Sequence, residues 1–527
     1  MAPCPASAQR LHDRRTAGSF DGRGLSLDAA HIDGLRRTAP RRFDSPVLRR
    51  ANFERATFVD DVAFSNFIFD AGVSFRDATF EGNVSFAGAT FRPGFEAQFD
   101  GTRFAGQAYF ASARFLGPAS FRSSFFNGSV VLDHALFAHA LILDAATFDA
   151  EASLGSLQVL SNASFIDTSF KSRDLGPFLI RGLGKFDGAL FSEQVNLRMV
   201  AFGGSFCGSR FEQGGTLSFR WTAIAFDDAT FENPMRISSA APFNEFDERE
   251  FMRYRPEGTP DLHETPRLIS VRHTSLANVT LANLDIAACL FEGARDVDRL
   301  RLEGDVRFAQ APSEWILDRH GLRRSSTPRR TIAEEHELRA SSDSSQPLNR
   351  RDQARARSWS SSSVARPEWY DVVHPVAASR PQEVAATYRA LRKGLEDSKD
   401  SAGAADFYYG EMEARRMAAT ALSAEKFVLS AYWLFSGYGL RASRALIGLG
   451  ITILGFAFFI RAWGLEGSDD ASFGEALLFS AKSTTSLFRA PEETLTIFGQ
   501  VLEMVLRLIG PLFFGLAVFS LRGYVRR

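Results

Sequence analysis

Val73-Ser74-Phe75-Arg76-Asp77-Ala78-Thr79-Phe80-Glu81-Gly82-Asn83-Val84-Ser85-Phe86-Ala87-Gly88-Ala89-Thr90-Phe91 carries the reading of the fold. Phenylalanine returns here in steps of five, six and five, so the local sequence repeats every eleven residues. The same beat starts at Phe53, Phe58, Phe64 and Phe69 and continues at Phe104, Phe110, Phe115, Phe121 and Phe126. An α-helix keeps one face apolar at a period of 3.6 and a half-buried strand at a period of 2, so neither accounts for it. A short fixed period means stacked units, each burying its face against the next.

The unit places a small residue two positions before a large apolar one. Ala51-Asn52-Phe53-Glu54-Arg55 and Ala56-Thr57-Phe58-Val59-Asp60 show it, and Ala277-Asn278-Val279-Thr280-Leu281, Ala282-Asn283-Leu284-Asp285-Ile286 and Ala287-Ala288-Cys289-Leu290-Phe291 repeat it in strict fives. This resembles the pentapeptide-repeat family over residues 51–235 and 273–310. The resemblance implies a mainly β fold, a right-handed quadrilateral β-helix with one repeat per side. The central Phe or Leu would fill the coil, and the small residue before it would also turn inward. Coils stack about 4.8 Å apart, as strands do, so the main block would form a rod roughly 40 Å long. The eleven-residue beat requires one extra residue on alternate sides, as a wider turn or bulge. The beat continues through Leu132, Phe137, Leu143, Phe148, Leu154, Phe165 and Phe170, resumes at Phe186, Phe191, Leu197 and Phe202, and ends near Phe231.

Around these blocks the chain divides by composition. Residues 1–50 read as a partly disordered N-terminal segment without a signal peptide, and 236–272 as an irregular insertion. Residues 311–380 read as a disordered linker, since the Ser/Arg-rich stretch at 319–366 offers little to bury. The main block has about 20 acidic and 13 basic residues, a mild excess. Cys4, Cys207 and Cys289 stand too far apart for pairing or metal spacing and suit a reducing compartment.

The C-terminal third is helical. Residues 381–425 form an amphipathic helical segment, with Tyr388, Leu391 and Leu395 at helical spacing and Glu411 placed to pair with Arg415 four residues on. This segment resembles one that accompanies membrane-bound pentapeptide-repeat proteins in bacteria. Residues 426–444 read as an interfacial helix. In the membrane module, 445–527, the uncharged run 445–460 is followed by a second apolar span from Gly499 to Leu521. Arg441 and Arg444 precede the first span, and Arg522, Arg526 and Arg527 follow the second. Glu466, Asp469, Asp470 and Glu475 lie between. The positive-inside rule then places both termini and the repeats in the cytoplasm of a multi-pass inner-membrane protein.

Between the spans, residues 472–491 hold a short apolar stretch. Span, short re-entrant helix ending in Thr484-Thr485, then span is similar to the two-transmembrane potassium-channel pore. The resemblance rests on Ala476-Leu477-Leu478-Phe479-Ser480, the threonine pair, Pro491 and Gly499-Gln500. It makes Ser483, Thr484, Thr485, Ser486 and Arg489 the pore and selectivity candidates. Potassium channels follow the threonines with Gly-Tyr-Gly, whose carbonyls replace the ion's water. Here Ser486-Leu487-Phe488-Arg489-Ala490 stands instead, so potassium selectivity is not implied. Glu503 and Arg507 are costly in a lipid-facing helix. They read either as a structural pair or as pore lining. Gly510-Pro511 reads as a kink, static or gating.

The sequence has no phosphate loop, metal-ligand cluster or nucleophile elbow. No catalytic residue, cofactor or metal is expected, and the chain does not read as an enzyme. Two function classes follow. One is a channel-like pore module, gated or scaffolded by a cytoplasmic β-helix. Because two spans cannot enclose a pore, it implies a homo-oligomer, a tetramer. The other is a non-conducting, membrane-tethered interaction scaffold. The partners expected are the lipid bilayer and an unknown cytoplasmic protein. DNA mimicry, known in pentapeptide-repeat proteins, needs a strongly acidic rod, so a nucleic-acid role is disfavoured.

Overall fold

A computed structural model describes residues 15–16, 19–42, 44–244, 251, 253, 264–312, 315–318, 321–324, 328–341, 359, 364–373, 379–420, 422–464, 472–485 and 495–525. The chain forms two compact units that divide between Ser379 and Arg380.

The first unit is a four-sided solenoid of parallel strands. Ala97 pairs with Ala119, Ala119 with Leu141 and Leu141 with Ala163, so these coils take 22 residues each, while the coil from Val73 to Ala97 takes 24. One side is a sheet of ten two-residue strands from Ser26–Leu27 to Thr230–Phe231. Its inward phenylalanines, Phe58, Phe80, Phe104, Phe126, Phe148, Phe170, Phe191, Phe211 and Phe231, stack in line with ring centroids 4.4–5.3 Å apart. Rings from adjacent sides meet edge to face, as Phe80 and Phe86 do at 6.2 Å and 85°, the arrangement the ring quadrupole favours. Phe80 and Phe86 have no exposed surface, and neither do Ala78 and Ala89 two residues before a phenylalanine. Arg76, Asp77 and Asn83 are exposed.

The alternation of five and six has a clear origin. The five-residue sides turn tightly: the Ala56 N–H donates to the Phe53 carbonyl at 3.1 Å, and Arg55 between them has φ 56°. Positive φ at the third turn position is the type II signature. Asn66, Asp77, Asp167 and Asp228 occupy equivalent corners at φ 54–60°. Asn and Asp accept this backbone more readily than other non-glycine residues. The six-residue sides carry the extra residue in a wider corner. Beyond residue 173 that residue is lost. Gly184 pairs with Gly204 and Gly204 with Ile224, a spacing of 20, and the strands Asp174–Lys185 and Val195–Ser205 run on round the corners.

Three boundaries expected from the sequence are corrected. First, the described part of 1–50 makes a coil. Ser19–Asp21, Ser26–Leu27 and Ser45–Leu48 pair with Arg50–Asn52, Thr57–Phe58 and Ile68–Phe69. On the remaining side stands helix α1, Ala29–Thr38, capped by Asp28 and His31. Arg36 on α1 donates to the Ala63 carbonyl at 2.7 Å, satisfying the open strand edge. Secondly, the blocks at 51–235 and 273–310 are one solenoid. Met235–Ser239 pairs with Val279–Ala282, and Arg267–Ser270 pairs with Ala223–Ala225. Thirdly, segments of 311–380 pack on the solenoid. Ala333–Ser341 (α2) and Glu368–Val373 (α3) are helices. Ala333, Tyr370 and Phe251 cover an outer apolar cluster of Leu179, Val200, Phe202, Ala223, Ala225 and Ile269. Phe202, read from its spacing as inward, stacks on Phe251 at 4.4 Å, while the inner ladder runs through Phe206.

Buried polar groups fix this strap. The Asp227 carboxylate is 2% exposed. It accepts from the Tyr370 hydroxyl at 2.6 Å, the Arg272 guanidinium at 2.9 and 3.1 Å, the Arg272 N–H at 3.1 Å and the Ser270 hydroxyl. Five donors offset the cost of burying the charge. His336 sits 2.8 Å from the Thr331 hydroxyl and 3.0 Å from the Trp359 carbonyl. The carbonyl can only accept, so Nδ1 carries the proton and Nε2 accepts from Thr331. Burial lowers its pKa and favours this neutral form. Glu334 accepts the Phe291 N–H at the end of the solenoid, and burial pushes its carboxyl from 4.5 up to about 7.

Two outcomes follow for this unit. Phe86→Ala should lower the unfolding free energy by about 3–5 kcal/mol in chemical denaturation; a loss below about 1 kcal/mol would contradict the inward stack. Glu334 holds in the folded chain a proton that the unfolded chain releases above about 4.5, so its contribution to stability falls from that pH to about 7 and then levels off. Glu334→Gln keeps an acceptor for Phe291 and removes this slope. The variant should gain up to about 3 kcal/mol over wild type at pH 8 and nothing at pH 4. Equal denaturation curves at pH 8 would refute it, and His336 cancels because it is common to both proteins.

Candidate membrane module

The second unit opens with a helical hairpin, α4 (Pro381–Asp397) and α5 (Ser401–Ala418). Val384, Tyr388, Leu391 and Leu395 on α4 are buried. Gly410 on α5 is required by close approach, since a Cβ there would lie 2.6 Å from the Tyr388 ring. The expected Glu411–Arg415 pair does not form. Glu411 accepts from Arg389 on α4 at 2.9 Å, and Arg415 donates to Glu425 at 3.0 Å. The inter-helix partner wins because Glu411 is buried in the hairpin, where Arg389 and Arg392 both approach it.

Helix α6 (Ala424–Ser436) begins at Ser423, whose hydroxyl accepts the Lys426 N–H at 3.2 Å. It ends in an elbow, Gly437-Tyr438-Gly439, with φ 53°, 59° and 75°. Tyr438 is 1% exposed and its hydroxyl donates to Glu413 of α5 at 3.0 Å. Burial, then the Glu413 charge, raises its pKa and keeps the phenol protonated. Trp433 donates to the Tyr409 hydroxyl at 3.0 Å, and the Arg416 and Arg444 guanidiniums lie 4.7 and 5.1 Å from its ring.

Three further helices pack against one another: α7 (Ala442–Phe459), α8 (Phe473–Thr485) and α9 (Ile497–Val525). Among the described residues, two stretches are long and apolar enough to cross a membrane: Ala442–Trp463, with mean hydropathy 2.0, and Ile497–Val518, with 1.9. Only 17% and 28% of these windows is buried, unlike the core helices of a soluble body. Helix α8, at 13 residues, is too short to cross. Ile460, Ala476 and Leu506 make the shared core. The Thr496 hydroxyl donates to the Trp463 carbonyl at 2.7 Å and ties the start of α9 to the end of the first stretch.

The sequence candidates fall into three groups. Ser483 and Thr484 are buried on α8. The Thr484 hydroxyl donates to the Ser480 carbonyl at 2.7 Å, and that of Ser480 to the Ile453 carbonyl of α7 at 2.9 Å. Thr485 ends α8, while Ser486 and Arg489 lie outside the described residues. Glu503 and Arg507 pair at 2.6 Å, the carboxylate side chain being 7% exposed. Gly510 lies against α8: a Cβ there would stand 2.3 Å from the Thr484 carbonyl oxygen. Helix α9 runs unbroken through Pro511. Gly448, a small residue in an apolar span, meets Phe513 closely, a Cβ there standing 2.8 Å from the ring, whereas sequence reading missed the contact of Gly510 with Thr484. Small residues in an apolar span were the available signal.

Gly510→Ala should therefore force α8 and α9 apart and cost about 1–3 kcal/mol. Gly515→Ala, with nothing within 4 Å, should be neutral. Thermal unfolding of the detergent-purified protein checks both, and equal midpoints would refute the close approach.

Residues 64–113 and 99–147 match the family model for pentapeptide repeats, described as nine copies. No curated protein matches this chain. The match covers residues 64–147 of the solenoid, and the fold agrees with it: these coils form a β-helix built of pentapeptide repeats.

Proposed function

We propose that this is a membrane-anchored pentapeptide-repeat protein whose C-terminal module is channel-like. Copies of the module assemble as a tetramer around an ion path, and the cytoplasmic β-helix senses or docks a protein partner. The observation that carries this reading is α8. A helix too short to span is held between two span-length helices, with its hydroxyl-rich end buried against Gly510 of α9. That is the layout of a pore helix. One copy cannot enclose a path, and α9 leaves Met504, Leu508 and Leu512 59–76% exposed, which calls for lipid or further copies. Gly510-Pro511 is then the place for α9 to bend, because Pro511 supplies no N–H to the preceding turn.

One observation favours the second reading, a non-conducting anchor for an interaction scaffold. Glu503 and Arg507 neutralise each other within one helix, so neither needs an aqueous path.

Currents through planar bilayers separate the two. The channel reading expects wild-type conductance, a shift of permeability towards cations in Arg489→Glu and altered conductance or gating in Glu503→Gln, since charge at a pore mouth sets which ions accumulate there. A stable tetramer that passes no current at any voltage would sink it and leave the anchor. Orientation has its own check. A cysteine at Asp469 should react with an impermeant reagent outside intact cells, and one at Ser360 should not; labelling of Ser360 alone would reverse the topology.

A further inference from the structure

Helix α6 buries one face and leaves a second apolar face open. Leu429 and Ser436 are buried, and Leu429, Tyr432 and Trp433 pack towards Tyr409 and Met412 of α5. On the other side stand Phe427, Val428, Leu434 and Phe435, exposed by 77, 61, 57 and 38%. With Ala424 and Ala431 they form an uncharged stripe at positions i, i+3, i+4, i+7, i+10 and i+11, an arc of about 120° at 100° per residue. Most helices of this length bury one such stripe. This one carries two, and α5 covers only the first.

We propose that the open stripe of α6 lies in the headgroup–acyl boundary of a bilayer, with the helix parallel to the membrane plane. The inference rests on the membrane reading of α7 and α9. Three observations select lipid as the occupant. The elbow at Gly437–Gly439 joins α6 directly to the first span-length helix. The stripe is continuous with the apolar surface of the module, since Phe435 meets Phe513 of α9 edge to face at 5.1 Å, beside the exposed Leu512 and Phe514. Arg441 and Arg444 follow the elbow at the start of α7, where lipid phosphates lie if α7 crosses. A second copy is the weaker occupant. One stripe about 20 Å long and about 10 Å wide falls well short of the roughly 800 Å² per partner of a stable interface.

The experiment uses the full chain in lipid nanodiscs, with an environment-sensitive fluorophore on a cysteine at Val428 or at Glu425. Cys4 is replaced by Ser. Burial pushes the Cys207 thiol up to about 12 and raises that of Cys289, so neither reacts at pH 7, and a parent without added cysteine controls for this. Glu425 is exposed but lies off the stripe. The expected result is blue-shifted emission at Val428, quenched several-fold more by lipids brominated in the upper acyl chain than the label at Glu425. Equal quenching at both sites, or none at Val428, overturns the proposal. If the protein then still resists extraction from membranes by alkaline carbonate, the spans stand and the stripe is covered by protein. Release by carbonate overturns both this inference and the membrane reading.

Discussion

The in-register stacking of phenylalanine rings is the constraint on which the first unit depends. Each coil repeats its predecessor at the strand spacing, so identical side chains fall on one another and the ring faces meet. Parallel faces at 4.3–5.3 Å are not the arrangement two free rings prefer. The backbone ladder imposes it, and the edge-to-face contacts between neighbouring sides add the favourable quadrupole term. The hydroxyls buried beside these ladders, Thr102, Ser124 and Thr168, donate to the backbone carbonyls of Phe75, Phe99 and Leu143, and a coil that kept the ladder but lost its rings would leave a void that no neighbour could fill. Corner chemistry follows from this demand. Coil length itself varies, 24 residues from Val73 to Ala97, 22 in the coils that follow and 20 from Leu183 to Gly203, and the corners absorb the difference, so that Phe75 and Phe99 still stack at 4.9 Å.

The same stacking leaves a problem at the edges. A solenoid ends in unpaired strand groups, and its outward positions are polar only where water meets them. Here the N-terminal edge is met by α1 through Arg36, and the C-terminal edge by Glu334 at Phe291. Between residues 179 and 290 the outward positions turn apolar, and α2, α3 and Phe251 cover them. Asp227 joins the two layers. Its carboxylate holds the next coil through Ser270 and Arg272 and the strap through Tyr370. A single buried acid therefore ties repeats to a segment about 140 residues later.

Legibility in the sequence followed the range of the interactions. The phenylalanine beat is local and repeats many times, so the solenoid and the identity of Phe80 and Phe86 as core could be read directly. Candidate spans were readable from charge-free runs, and the position of α8 between them from a short apolar stretch with hydroxyls. The strap was not readable, because its composition is that of a tether and its few anchors, Trp359 and Tyr370 among them, are meaningful only once Asp227 and Val200 are in place. A signal did exist: Val200 and Phe202 alternate with Met199 and Ala201, which are also apolar, so that coil is apolar on both faces. Phe202 was misassigned because a five-residue step from Leu197 fits the beat, whereas the 20-residue coil moves the inward place to Phe206. In the second unit, Glu411 and Arg415 satisfied the helical spacing rule, but tertiary partners on α4 and α6 took both.

The central structural claim is that one solenoid runs from residue 19 to about residue 303 and is closed by the strap segments 329–341 and 364–373. Hydrogen–deuterium exchange of the intact protein addresses it most directly, because protection reports which backbone groups open together. The account predicts that amides of the coils at Phe86, Phe211 and Leu281 exchange in the slowest class, and that those at His336 and Tyr370 are protected by orders of magnitude over an open chain. Exchange of 329–341 and 364–373 within seconds, at the rate of an unstructured linker, would contradict it.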